Sequence, residues 1–206
     1  MSLILGSAGL LAGGVVGLIL QRRTYRERVS RPAPWYWVMA AALLCAATMG
    51  LMAWRLDDPV TLALGCVFAV GGVAAVWTDV DAHLLLDVVT LPLAGTLLIL
   101  ITVAAVSGGD WDRWWSAVLS SVGVAAVLLV WALFGSLGLG DVKLGLSVGL
   151  VLGYAGGWQL TFGGVVLSLL LAAVFAVVLL IAGRSRKSYL PLGPALVVGV
   201  VACLLW

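Results

Sequence analysis

The sequence predicts an all-α fold, a polytopic membrane bundle of about eight transmembrane helices forming one domain over residues 1–206. Three observations predict it. First, 64% of the residues are hydrophobic and the mean hydropathy is +1.21, whereas a soluble domain is roughly 45–50% apolar. Second, charge is scarce, with eleven Lys or Arg and nine Asp or Glu in 206 residues. Third, the apolar residues fall into runs of about the 20 residues that a bilayer-crossing helix needs. This composition excludes an ordinary soluble domain, a disordered tail and a nucleic-acid binder with a basic face.

The expected spans are, in order, about 2–20, 36–55, 60–78, 88–106, 114–134, 142–157, 160–182 and 190–206. The first run has no positive charge ahead of it and no A-x-A cleavage pattern, and its arginines follow it. It therefore reads as an anchor with its N-terminus outside rather than as a signal peptide. Residues 1–35 hold this span and a short basic loop, and 36–206 the remaining bundle. The sixth run is short, which suits a tilted or partly re-entrant segment.

Alternation of eight spans puts 21–35, 79–87, 135–141 and 183–189 on one side. With the start of the next span, these segments carry Arg22, Arg23, Arg26, Arg28, Arg31, Lys143, Arg184, Arg186 and Lys187. Only Arg55 and Arg113 fall opposite. Basic loops stay in the cytoplasm, so a multi-pass protein of the cytoplasmic (inner) membrane is expected, with the arginine-rich loop against lipid headgroups.

Tryptophans and tyrosines near the span ends, including Trp35, Trp37, Trp54, Trp77, Trp111, Trp114, Trp115, Trp131 and Tyr154, read as an interfacial belt. Gly9, Gly13 and Gly17, and again Gly145, Gly149 and Gly153, repeat every four residues. That spacing lets helix backbones approach closely in lipid. Cys45, Cys66 and Cys203 lie apart without a CxxC pattern and read as small packing residues.

Acids at the edge of a hydrocarbon span are costly and are functional candidates. Asp57, Asp58, Asp110 and Asp112 read as solvated turn residues on the outer side, and Glu27 is neutralised among its arginines. Asp79, at the end of a long apolar run, and Asp141, in GSLGLGDVKLG just before another, stand out. Gly138 and Gly140 remove side chains beside Asp141 and would let an extended backbone come near it. Two carboxylates on one membrane face can share a proton, one acting as base toward water and the other as acid toward a carbonyl oxygen. Asp79 ends a helix and Asp141 begins one, so the macrodipole predicts Asp141 as the ionised member and Asp79 as the protonated one.

The segment from Asp79 through Asp87 and Thr90 to Pro92 resembles the first active-site motif of type IV prepilin peptidases, with Leu86 where that family carries Pro. Gly138-Leu-Gly140-Asp141-Val-Lys143 is similar to their second motif, G-x-G-D-x-K. Pro191-Leu-Gly193-Pro194 is similar to their C-terminal Pro-x-Gly-Pro segment. The resemblance implies a membrane aspartyl endopeptidase that cuts the leader from prepilin or pseudopilin precursors at the cytoplasmic face. It implies Asp79 and Asp141 as the catalytic pair. Supporting or substrate-binding roles then fall to Gly138, Gly140, Lys143, Asp87, Thr90, Pro92, Pro191, Gly193 and Pro194. Asp87 is expected to cap its helix, and Lys143 to pair with Asp141 or with lipid phosphate. The short segment QRRTYRERVSRPAP lacks the cysteine pairs of bifunctional members, so a peptidase without the methyltransferase step is expected.

No cofactor, metal or nucleic-acid partner is expected. A metal reading of Asp79-x-Asp81-x-His83 lacks a completing cluster, and Asp81 and His83 read as loop or substrate-contact residues. Two alternatives remain open, a signal-peptide-peptidase-like intramembrane protease and a small proton-coupled transporter. A non-catalytic membrane protein is disfavoured, because paired acids at a membrane edge have no packing advantage.

Overall fold

The computed structural model describes residues 2–21, 35–82, 85–134, 137–181 and 192–206. Among these residues there are seven helices: α1 (Ser2–Gln21), α2 (Trp35–Arg55), α3 (Pro59–Ala82), α4 (Asp87–Gly108), α5 (Trp111–Phe134), α6 (Leu139–Ile181) and α7 (Leu192–Leu205). Six are long and apolar enough to cross a bilayer, and α7, at 14 residues, is a shorter apolar helix.

The expected sixth and seventh runs are the two arms of α6, two helices joined across a kink. Within α6, Gly156 and Gly157 leave helical geometry, and Gly157 has φ +68°, a left-handed conformation that favours glycine. Leu152 and Gly164 meet across the bend; in a straight helix they would lie about 18 Å apart. The chain thus reverses on a glycine pair without leaving an apolar run.

That reversal makes the neighbouring helices antiparallel. Along α3 and α7, Gly65 meets Leu204, Gly72 meets Val197 and Gly193 meets Asp79. The main core lies between α3, α4, α6 and α7 and includes Phe68, Leu97, Ile101, Leu144, Val148, Val151, Leu196 and Val200. A second cluster joins α1 and α2 to α3 through Leu20, Ala41, Cys45, Val73 and Trp77. Large apolar side chains such as Ile99, Leu119, Phe162 and Val174 face outward, as lipid contact requires.

The two glycine series pack as the spacing predicts. Gly9, Gly13 and Gly17 face α2, and a methyl group on Gly13 would stand 2.5 Å from the Ala41 carbonyl oxygen. Gly145, Gly149 and Gly153 face α5 in the same way. Two belt assignments need correction. Trp77 is buried and packs edge-on against Trp37, with ring centroids 5.3 Å apart. Tyr154 is buried beneath the Arg113 guanidinium, 5.4 Å from the ring centroid.

Asp58 is more than a solvated turn residue. It caps α3, accepting hydrogen bonds from the Thr61 backbone N–H at 3.2 Å and the Thr61 hydroxyl, and it pairs with Arg113 at 3.1 Å. Partial burial alone would raise its pKa, but these hydrogen bonds and Arg113 outweigh it and hold the carboxyl below its ordinary 3.8.

Adjacent glycines provide a test of the packing. Gly14 has open space around it, so Gly14→Ala is expected to leave stability unchanged or raise it by up to about 1 kcal/mol through better helix propensity. Gly13→Ala is expected to lose about 1–3 kcal/mol by overpacking; thermal unfolding in detergent checks both. A depressed carboxylate pKa stabilises the fold above the unfolded value, and that stability is lost as pH falls through the folded one. Asp58→Asn should therefore lower the unfolding midpoint near neutral pH, by up to about 1 kcal/mol for an exposed pair. The gap from wild type should close as the pH is taken below the ordinary carboxylate range.

Candidate active site

Three helix starts and one helix end meet at one end of the bundle. Asp79 sits in the last turn of α3, and its side chain is buried, with the residue 6% exposed. Its Oδ2 accepts the backbone N–H of Gly193 at 3.1 Å. Gly193 is the second residue of α7, where N–H groups have no partner within the helix. The α7 start thus supplies Asp79 with a donor, and a methyl group on Gly193 would stand 2.8 Å from that same oxygen.

Asp141 is the third residue of α6 and is 9% exposed. Its backbone N–H donates to the Gly138 carbonyl at 3.1 Å, and its carboxylate accepts a backbone hydrogen bond from Gly138 in return. This is the reciprocal geometry of a capping box, with an acid at the third helical position reaching back to the helix start. Its Oδ1 is buried without a hydrogen-bond partner. Asp79 and Asp141 stand close enough for the charge of one to act on the other.

Gly140 makes room for another part of the chain. The place a Cβ would take is filled by Leu85, 2.5 Å from its Cβ and 3.2 Å from its carbonyl oxygen. Gly193 likewise makes way for Asp79. These two glycines let segments of the same chain close on one another. Leu85 was invisible to sequence reasoning, since nothing distinguishes it within an apolar run.

Lys143 does not pair with Asp141. Residues two apart on a helix point to different sides, and Lys143 Nζ instead binds Asp87 Oδ1 at 2.5 Å. Asp87 is the first residue of α4, not its cap; Leu86 holds the cap position without a side-chain bond. Thr90 is fully buried, its hydroxyl donating to the Leu86 carbonyl at 3.3 Å. Pro92 lies exposed within α4, one helical turn beyond Val88. Pro194 is half-buried in the first turn of α7, where its missing N–H costs nothing. Pro191 and His83 lie outside the described residues. Among the described residues, no three His, Cys, Asp or Glu side chains form a group that could hold a metal ion.

The model of the type IV leader peptidase family matches residues 66–181. The chain belongs to the type IV leader peptidase family. The matched segment runs from α3 to the end of α6 and contains both aspartates, Asp87 and Lys143. Family membership supports a leader-peptidase-like protease. No curated protein and no solved structure matches the chain. Gly193 lies beyond the segment the family model matches, yet it joins the same site.

The Asp79–Gly193 contact predicts a specific coupling. Gly193→Ala is expected to destabilise the protein by about 1–3 kcal/mol, the usual cost of overpacking. In an Asp79→Ala background, where the clashing oxygen is gone, most of that loss should disappear. A double-mutant cycle of thermal unfolding in detergent reads the difference.

Proposed function

We propose that this protein is a membrane aspartyl endopeptidase that removes the leader peptide of prepilin or pseudopilin precursors, with Asp79 and Asp141 as the catalytic pair. The observation that carries the reading is the meeting of these two buried carboxylates from distant segments, one of them with an oxygen that has no partner among the described residues. Two carboxylates in one site do not both ionise readily, and the shared proton divides their roles. The ionised member takes a proton from a water molecule as its oxygen attacks the scissile carbonyl carbon. The protonated member gives its proton to the carbonyl oxygen. Collapse of the tetrahedral intermediate breaks the C–N bond, the proton held by the first carboxylate passes to the leaving amine, and one hydroxyl of the intermediate returns its proton to the second carboxylate. The pair titrates as a unit.

Support for a cytoplasmic active site comes from the helix ends. Leu20 of α1 and Trp37 of α2 pack with Trp77, two residues from Asp79. The end of α1 and the start of α2, which border the arginine-rich segment in sequence, therefore lie at the catalytic end. The Arg-Ser-Arg-Lys segment at 184–187 precedes α7, whose start touches Asp79. Basic connections mark the cytoplasmic side. Both aspartates lie within a turn of a helix terminus, whereas transporters place their acids near the bilayer midplane.

Purified protein is expected to cut a synthetic peptide that carries a leader and the first turns of a pilin-type apolar helix. Asp79→Asn and Asp141→Asn should each lower the rate by roughly 10²–10⁴-fold, the range for loss of an acid–base group. Mass spectrometry of the products gives the cleaved bond. Full activity in either variant would sink the assignment, and solute uptake without cleavage would favour a transporter.

A further inference from the structure

We propose that Lys143 and Asp87 form a positioning clamp that sets the separation of the Asp79 and Asp141 carboxylates. The inference rests on the catalytic pair proposed above and concerns how the chain holds it.

The ion pair ties the first residue of α4 to the second turn of α6, at 2.5 Å between Lys143 Nζ and Asp87 Oδ1. Its side chains are 33% and 58% exposed, so a large contribution to stability is not expected. Its geometry matters more. Asp79 and Asp87 flank the same short connection, the end of α3 and the start of α4. Asp141 and Lys143 are two residues apart in α6 and point to different sides. The chain from Asp79 to Asp87, the ion pair, and the chain from Lys143 back to Asp141 make a closed ring. Its remaining gap is the space between the two carboxylates.

Inside that ring, Gly140 rests directly on Leu85. This apolar contact resists closer approach of α6 to α4 but does not prevent separation or rotation. The ion pair supplies that restraint from the exposed side. The charged or titratable groups that the described elements bring to this end are Asp79 and Asp81 from α3, Asp87 from α4, and Asp141 and Lys143 from α6. Helix α7 contributes the Gly193 N–H. Helix α5 has its charges, Asp112 and Arg113, in its first turn at the opposite end. Lys143 is thus the one cation these helices bring here, and it is engaged with Asp87.

The test uses the full chain in detergent or nanodiscs with the leader-peptide probe. Lys143→Met and Asp87→Ala are expected to lower kcat by about 10–100-fold with KM unchanged, since misplacement near 1 Å costs up to about 10²-fold. They should also narrow the bell-shaped pH–rate profile, because carboxylates held farther apart couple less and their two apparent pKa values draw together. Asp87→Asn, which keeps an acceptor for Lys143, should retain most of the activity. The exchanged pair Asp87→Lys with Lys143→Asp should restore both kcat and the profile width.

An unchanged profile width in the single variants overturns the clamp. So does a loss confined to KM, which would make the pair a substrate contact, and so does failure of a folded exchanged variant to recover. If a single variant does not fold, the exchanged pair and Asp87→Asn decide by the same criteria. Failure of the catalytic assignment is distinct, since it shows as activity surviving in Asp79→Asn or Asp141→Asn.

Discussion

Two carboxylates buried at the end of an apolar bundle set the terms for the rest of the molecule. A buried charge is tolerated only when it is paired or hydrogen-bonded. Helix starts carry free N–H groups and the positive end of the macrodipole. Asp79 takes its donor from the start of α7 and Asp141 from the start of its own helix. The start of α4 stands beside them, tied in by Asp87. The topology serves this gathering. If α6 ran straight through Gly156 and Gly157, α7 would begin at the far end of the bundle and Asp79 would lose the Gly193 N–H. A pair of glycines some 15 residues beyond Asp141 in sequence therefore decides whether Asp79 meets the Gly193 N–H.

Close approach of backbones is the second requirement. Lipid is as apolar as the side chains, so helices in it are held by van der Waals contact and by the few polar bonds available. The glycine rows on α1 and α6 bring α2 and α5 to backbone contact. At the site the same device is used at higher stakes. Gly140 lets α6 reach the Leu85 backbone, and Gly193 lets α7 reach the Asp79 carboxylate. In this chain Gly140 and Gly193, beside Asp141 and Asp79, make room for other segments of the same chain.

Much of the fold was legible because hydropathy and charge are simple signals in so apolar a chain. Span limits, the glycine rows and the isolation of Asp79 and Asp141 all follow from one-dimensional patterns. Contacts across the bundle were not legible. Asp79 and Gly193 are 114 positions apart, and a resemblance of motifs does not say which atoms touch. The boundary between the sixth and seventh runs falls at the Gly156–Gly157 reversal, although hydropathy alone does not show that a glycine pair makes the turn. Trp77 and Tyr154 were placed at the interface by type, although one packs on Trp37 and the other lies under Arg113. The pairing of Lys143 with Asp141 was avoidable, since i, i+2 residues on a helix diverge.

The expected division of labour between the aspartates rested on a contrast of helix ends, one carboxylate at a C-terminus and the other at an N-terminus. The packing removes that contrast. The C-terminal end of α3, unfavourable to negative charge, is met by the N-terminal end of α7, which favours it. Each carboxylate then faces a helix start, and each accepts one backbone N–H. Asp141 also has an Oδ1 that finds no hydrogen-bond partner among the described residues. In the cycle proposed here, one carboxylate gives up the shared proton while the other takes one from water, so their protonation states exchange within a turnover. A strong dipole difference would fix the proton on one side and slow its return. The placement of α7 thus does more than supply one donor, because its N-terminal end offsets the dipole at the end of α3 that opposes ionisation of Asp79.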